Sequence, residues 1–264
     1  MRKVHSKDGI TIAFDRSGEG PAIILVGGAL SDRSAGTQLA AHLAPHFTVY
    51  TYDRRGRGES GDTPPYAVAR EVEDIDALIN EAGGSAFVFG HSSGAVLALE
   101  AASNLPSKVK KLALYEPPFI VDDSRPPLQV DYVARLTELV AAGRRGDAVE
   151  FFMTKAVAVP IEFIAQMRGD PMWQAMEGLA HTLAYDGAIM GDTIAGKPLP
   201  TERWASATLP TLVMDGGKSP AWLHHAAQAT AGVLPNAKYR TLEGQEHGVA
   251  PEVLTPVLVE FFLG

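Results

Sequence analysis

Residues 86–102 read AFVFGHSSGAVLALEAA, an apolar run that passes through Gly90-His91-Ser92-Ser93-Gly94 into a helical pattern. This junction constrains the fold more than any other stretch. A buried strand that turns sharply into a helix forces the central residue into an unfavourable backbone conformation, with its side chain projecting outward. Flanking glycines are needed because a Cβ there would collide with neighbouring backbone. The new helix offers free N–H groups and the positive end of its dipole. Taken alone, the pentapeptide is weak evidence, because Ser92 and Ser93 would also serve as a plain helix cap on a glycine turn.

The surroundings repeat the strand-to-helix rhythm. VHS and TIAFDRS flank a predicted turn at Asp8-Gly9, and PAIILVGG and FTVYTYD read as buried strands. Helical spacing is expected over 34–43 and 65–82, the latter carrying Val68, Val72, Ile75, Leu78 and Ile79 on one face. VKKLALY is the next strand. Residues from about 117 to 208 read as almost wholly helical, punctuated by Pro126-Pro127, Pro160 and Pro171. Alternation then resumes through LPTLVMD, AWLHHAAQATAGVL, AKYRTLE and PEVLTPVLVEFF. Strands apolar on both faces and alternating with helices imply a mostly parallel sheet covered on both sides. The expected organisation is one α/β core, residues 1–118 and 206–264, with a helical insertion over 119–205.

Composition narrows the partners. The 264 residues carry a formal net charge of −8 and no dominant basic cluster, which argues against nucleic acid or an anionic membrane surface. With no cysteine, disulfides, thiolate nucleophiles and Cys-ligated metals are excluded. The N-terminus lacks the apolar core of a secretion signal, and no apolar run approaches the roughly 18 residues of a membrane span. A cytoplasmic location, a small-molecule substrate and no metal or cofactor are expected; oligomeric state is left open.

Three further features complete a pattern. Asp53-Arg54-Arg55-Gly56-Arg57-Gly58-Glu59-Ser60 follows a strand, His247 lies late in LEGQEHGVAP, and the helical insertion follows the sixth strand. With GHSSG, these features resemble the α/β-hydrolase fold family in order and over essentially the whole chain. The resemblance implies an α/β-hydrolase fold with a helical cap after strand 6, and a serine hydrolase that works without a cofactor. Ser92 is then the nucleophile and His247 its base. The N–H groups of Ser93 and Ala29 form the oxyanion hole, with Gly28 the neighbouring alternative to Ala29. Gly27 stands where the family often has histidine. Haloalkane and epoxide hydrolases of this fold use an aspartate nucleophile, so Ser92 argues against both.

The carboxylate partner of His247 is less direct. In many members it follows the seventh strand, and aligning LPTLVMDGGKSP with that pattern puts Ser219 at the acid position. A serine cannot replace a carboxylate. Two residues remain: Asp215, still on or barely past the strand, and Glu116, at the end of the sixth strand before Pro117-Pro118. Some members, certain lactonases among them, supply the acid from the latter place, and Glu116 is favoured over Asp215.

Other histidines are weaker candidates. His91 is expected to pack, His181 to pack or lie at the surface, and His224-His225 to point apart on a helix. Within the insertion, Trp173, Met176 and Tyr185 are expected to contribute to an apolar pocket. Asp186 is a candidate for orienting a polar substrate group, a surface carboxylate being the simpler reading. An ester or lactone substrate is favoured. C–C bond hydrolysis or a lyase reaction, or a ligand-binding protein retaining the fold, are the alternatives.

Overall fold

The apolar runs that read as strands assemble into one eight-stranded sheet in the computed structural model, which describes residues 1–264. Strand β1 (Arg2–His5) turns at Asp8-Gly9 into β2 (Thr11–Ser17); β3 (Ala22–Val26), β4 (Thr48–Tyr52), β5 (Ala86–His91), β6 (Val109–Tyr115), β7 (Thr211–Gly216) and β8 (Ala237–Leu242) follow. Their order across the sheet is β1-β2-β4-β3-β5-β6-β7-β8. The β1–β2 and β2–β4 pairs are antiparallel, and every pair from β4 to β8 is parallel. Parallel neighbours require crossovers, and helices supply them.

Helices α1 (Thr37–Leu43), α2 (Val68–Glu81) and α3 (Ser93–Asn104) connect the first strands. The predicted helix over 34–43 begins as a short 3-10 turn, Arg33–Gly36, whose first N–H groups are capped by Asp32. The one over 65–82 starts only at Val68, because the residues from Pro65 onward are not yet helical and Ala67 is extended. Between β6 and β7 lie α4 (Tyr132–Ala141), α5 (Arg145–Lys155), α6 (Ile161–Met167), α7 (Pro171–Leu179) and α8 (Leu183–Met190). Pro171 opens α7 behind an Asp170 cap, where its missing N–H costs nothing. Helices α9 (Ala221–Val233) and α10 (Pro251–Leu263) complete the chain.

Alternation along the strands divides the interior in two. Ile23 and Leu25 of β3, with Phe87 and Phe89 of β5, face a core closed by α1 and α10. Ile24, Val26 and Val88 face the other way, toward α2, α3 and α9. The second core continues without a break into the insertion, where Leu136, Val149, Trp173 and Trp204 belong to the same cluster. No helix is long and apolar enough to cross a membrane.

Candidate functional site

The turn from β5 into α3 carries the expected strain. Ser92 has φ +57° and ψ −130°, a conformation rare for a residue with a Cβ. Its N–H donates to the Tyr115 carbonyl at 3.0 Å, which ties the turn to the end of β6. Gly94 has no room for a side chain, since a Cβ there would lie 2.3 Å from the Val26 carbonyl oxygen. A Cβ on Gly28 would lie 3.0 Å from that of Ser92, so the loop after β3 passes directly over the serine. Ser92, His247 and Gly28 line one cavity of about 730 Å³.

The carboxylate beside His247 is Glu116. Its Oε2 lies 2.6 Å from His247 Nδ1, and its Oε1 accepts the Gly216 N–H at 2.7 Å. The side chain is fully buried. Burial works to raise its pKa, but the His247 hydrogen bond, the Ser219 hydroxyl and the Gly216 N–H outweigh it and hold Glu116 below its usual value. Ser219 is therefore close by in space. Its hydroxyl misses good hydrogen-bond geometry yet lies near enough to favour the charged carboxylate. Asp215 is not brought to His247. It is buried on β7, where it meets His224 Nδ1 at 2.8 Å and accepts from the Tyr239 hydroxyl at 2.6 Å.

The loop carrying His247 is held by three consecutive carbonyls. Gln245 accepts from the Lys218 N–H at 2.8 Å, Glu246 from the Tyr115 hydroxyl at 2.6 Å, and His247 pairs with His91 Nε2 at 2.8 Å. That last contact makes Nε2 the protonated nitrogen of a neutral His91. Burial, with the neighbouring His247 charge next, lowers His91 to about 4, so it stays neutral near pH 7. Its ring also stands 4.7 Å from that of His247. His91 packs, as expected, but against the candidate base.

Asp186 overturns its sequence reading. It is only 4% exposed, although it belongs to α8 of the insertion. Its carboxylate accepts Arg54 Nη1 at 2.8 Å, Arg57 Nη2 at 3.0 and 2.8 Å, and the Ser93 hydroxyl at 2.8 Å. Burial opposes its charge, but Arg57 and Arg54 in turn outweigh it and hold the carboxyl below its ordinary value. The same arginines reach the glycine loop. Arg57 Nη1 donates to the Gly28 carbonyl, which also accepts from Ser31 Oγ at 2.7 Å, and Arg54 Nη1 donates to Gly27 at 3.2 Å. In a trans peptide the carbonyl and the following N–H point in opposite directions. Holding the Gly28 carbonyl thus fixes the Ala29 N–H. The N–H groups of Ala29 and Ser93 have no acceptor within the chain.

Residues 23–254 match the profile described as the Alpha/beta hydrolase family. The chain belongs to the α/β hydrolase family. A crystal structure of an α/β hydrolase from Sphaerobacter thermophilus DSM 20745 is similar to it throughout, with 60% identity, 99% of this chain and 100% of that one covered, and a TM-score of 0.91. The uncharacterized hydrolase YraK of Bacillus subtilis (strain 168) is 36% identical over 113 residues, 41% of this chain and 42% of its own. The 2-(acetamidomethylene)succinate hydrolase of Mesorhizobium japonicum (strain LMG 29417 / CECT 9101 / MAFF 303099) is 26% identical over 264 residues, 96% of this chain and 91% of its own.

The α/β hydrolase cavity is not lined by the insertion residues predicted from sequence. Trp173 is 2% exposed, faces the core that the insertion shares with the sheet and donates to Glu177 Oε1 at 2.9 Å. Met176 packs against the same core. Tyr185 stacks on Tyr66 with ring centroids 4.1 Å apart and donates to Asp62 at 2.7 Å. Trp173 and Tyr185 are drawn away by partners that counting apolar residues does not reveal. The insertion side of the cavity is formed instead by Leu128, Tyr132, Phe152, Met153, Met190 and Ile194. His181 contacts the Gly56 carbonyl at 2.7 Å and lies outside the cavity. No group of three or more His, Asp or Glu side chains is arranged to hold a metal ion.

Proposed function

We propose that this α/β hydrolase cleaves a small-to-medium, largely apolar ester or lactone through Ser92, His247 and Glu116, by way of an acyl-enzyme. The observation that carries the reading is the 2.6 Å contact between His247 Nδ1 and a fully buried Glu116, beside a strained Ser92 in the same cavity. With Nδ1 engaged, Nε2 is the nitrogen left to take the Ser92 proton as Oγ attacks the carbonyl carbon. Glu116 stabilises the resulting imidazolium and holds the ring in place. The oxyanion is received by the Ala29 and Ser93 N–H groups. Collapse breaks the bond to the leaving oxygen, which takes the proton back from His247. Water, activated by the same base, then releases the acid and Ser92. Residues 119–205 act as a lid, and their apolar inner side accounts for an apolar acyl or alcohol group.

The relative that hydrolyses 2-(acetamidomethylene)succinate supports hydrolysis over a lyase reaction. The test is labelling with a fluorophosphonate, followed by turnover of a panel of aryl esters, lactones and vinylogous C–C substrates. Labelling abolished by Ser92→Ala, together with ester or lactone turnover, is expected. Turnover confined to C–C substrates would shift the assignment to that class, and no labelling with no turnover would make the protein a binder.

A further inference from the structure

Arg125 also lines the cavity, from the connection between β6 and α4. It is half-buried, and no carboxylate of the protein pairs with it. Its Nη1 and Nη2 donate to the carbonyls of Ala156 at 3.0 Å and Lys155 at 2.9 Å, at the end of α5. Its guanidinium carbon stands 4.3 Å from the centre of the Trp222 ring. These contacts fix the group in place but use only two of its five N–H donors.

The other charged groups around the cavity already have partners. Arg33 is held by Asp15 and Asp53. Asp186 serves Arg54, Arg57 and Ser93. Asp32 accepts the Ser34 N–H and hydroxyl. Asp122, three residues before Arg125, is engaged by Ser124 and by His225 at 2.6 Å. Arg125 is left as the cavity's cation without an anion. Burial lowers its pKa, with only the Tyr132 hydroxyl pulling the other way, which is the mark of a desolvated charge lacking a counter-ion. Such a charge is costly in isolation and gains strongly from an incoming carboxylate, whose two oxygens match the guanidinium fork.

We propose that Arg125 is a carboxylate subsite, and that the preferred substrate is an ester or lactone bearing a free carboxylate apart from the bond that is cleaved. The apolar wall of Leu128, Phe152 and Met153 then encloses the chain between the two ends, with Trp222 holding the guanidinium plane. This rests on the ester or lactone reading above, and the experiment separates the two.

The aryl monoester of glutaric acid, a carboxyphenyl butyrate and neutral phenyl butyrate are compared by kcat/KM in the wild type and in Arg125→Gln. The anionic-to-neutral ratio for at least one charged ester is expected to fall by roughly 10- to 100-fold in the variant, the range of a charged hydrogen-bonded pair. If Arg125→Gln does not fold, Arg125→Lys, which keeps the charge but not the paired donors, is expected to lower the ratio by a smaller factor. Ratios unchanged by substitution would overturn the subsite while leaving the hydrolase reading intact. Calorimetry of glutarate binding to Ser92→Ala covers the opposite case. Binding that is lost with Arg125→Gln, in a protein that turns over no ester or lactone, would keep the subsite and remove the reaction.

Discussion

Glu116→Gln keeps the shape of the side chain but replaces an acceptor by a donor at one of two positions, so it cannot both accept from Gly216 and hold the neutral tautomer of His247. Its kcat is expected to fall by roughly 10³- to 10⁴-fold with the fold intact. Asp215→Asn, whose partners are His224 and Tyr239, is expected to lower kcat by less than about 10-fold on the same scale. Steady-state kinetics of the two variants checks the ranking, and the reverse order would remove Glu116 from the site. His91 makes a second prediction. Unfolded, it takes up a proton near 6.5; folded, only near 4. The unfolded chain therefore binds more protons between these values, so the stability His91 contributes is present in full above pH 6.5 and is lost as pH falls toward 4. Urea midpoints at pH 7 and pH 5 should drop in the wild type, and drop less in His91→Gln. These residues also mark how far the chain can be read. Ser92 and His247 are legible because a short motif or a position after a strand announces them. Glu116 follows once Ser219 is seen to be no acid. Asp186 and Arg125 carry no local mark: the arginines that bury Asp186 lie about 130 residues away. The one hint is an acid within the otherwise apolar run LAYDGAIM.

Helix α8 acts on the turn and the glycine loop at the same time. Its Asp186 binds Ser93, the first residue of α3, and Arg57, which grips the Gly28 carbonyl. Both proposed oxyanion donors thus depend on one side chain of the insertion, which acts through others and is a positioning residue. Asp186→Asn weakens four charge-assisted hydrogen bonds and leaves Arg54 only Glu71 as a buried counter-charge. Its kcat is expected to fall by roughly 10- to 100-fold, less than the loss of a donor outright, with KM nearly unchanged. A boronic acid that mimics the tetrahedral state should bind more weakly in proportion, whereas a product acid should not. Equal loss of both affinities would mean that the cavity had merely deformed. At this scale the sequence is most readable. Every strand and the helical character of the insertion follow from apolar periodicity, and the helix starts that shift do so at proline and at a capping aspartate. Which insertion side chains reach the cavity is not readable, because α5 and α8 carry apolar residues on more than one side and the pairings that turn Trp173 and Tyr185 away are made in three dimensions.

In the whole molecule, the insertion and one face of the sheet share a single apolar core. Separating them would expose that shared surface, at about 25 cal/mol for each Å² of apolar area. Unfolding is therefore expected to be one transition, followed in urea by far-UV circular dichroism and by the fluorescence of Trp173 and Trp204 in the insertion region and Trp222 in α9. Fluorescence changing well before the circular dichroism would show the insertion to be a separate unit. The sheet order has one more consequence. Because β6 and β7 run parallel side by side, with Tyr115 opposite Met214, the residues just beyond their ends, Glu116 and Ser219 among them, crowd around one point in space. Two stretches far apart along the chain thus converge on one carboxylate position. Where that position lies in space is set by the sheet, and which residue fills it is left to the sequence.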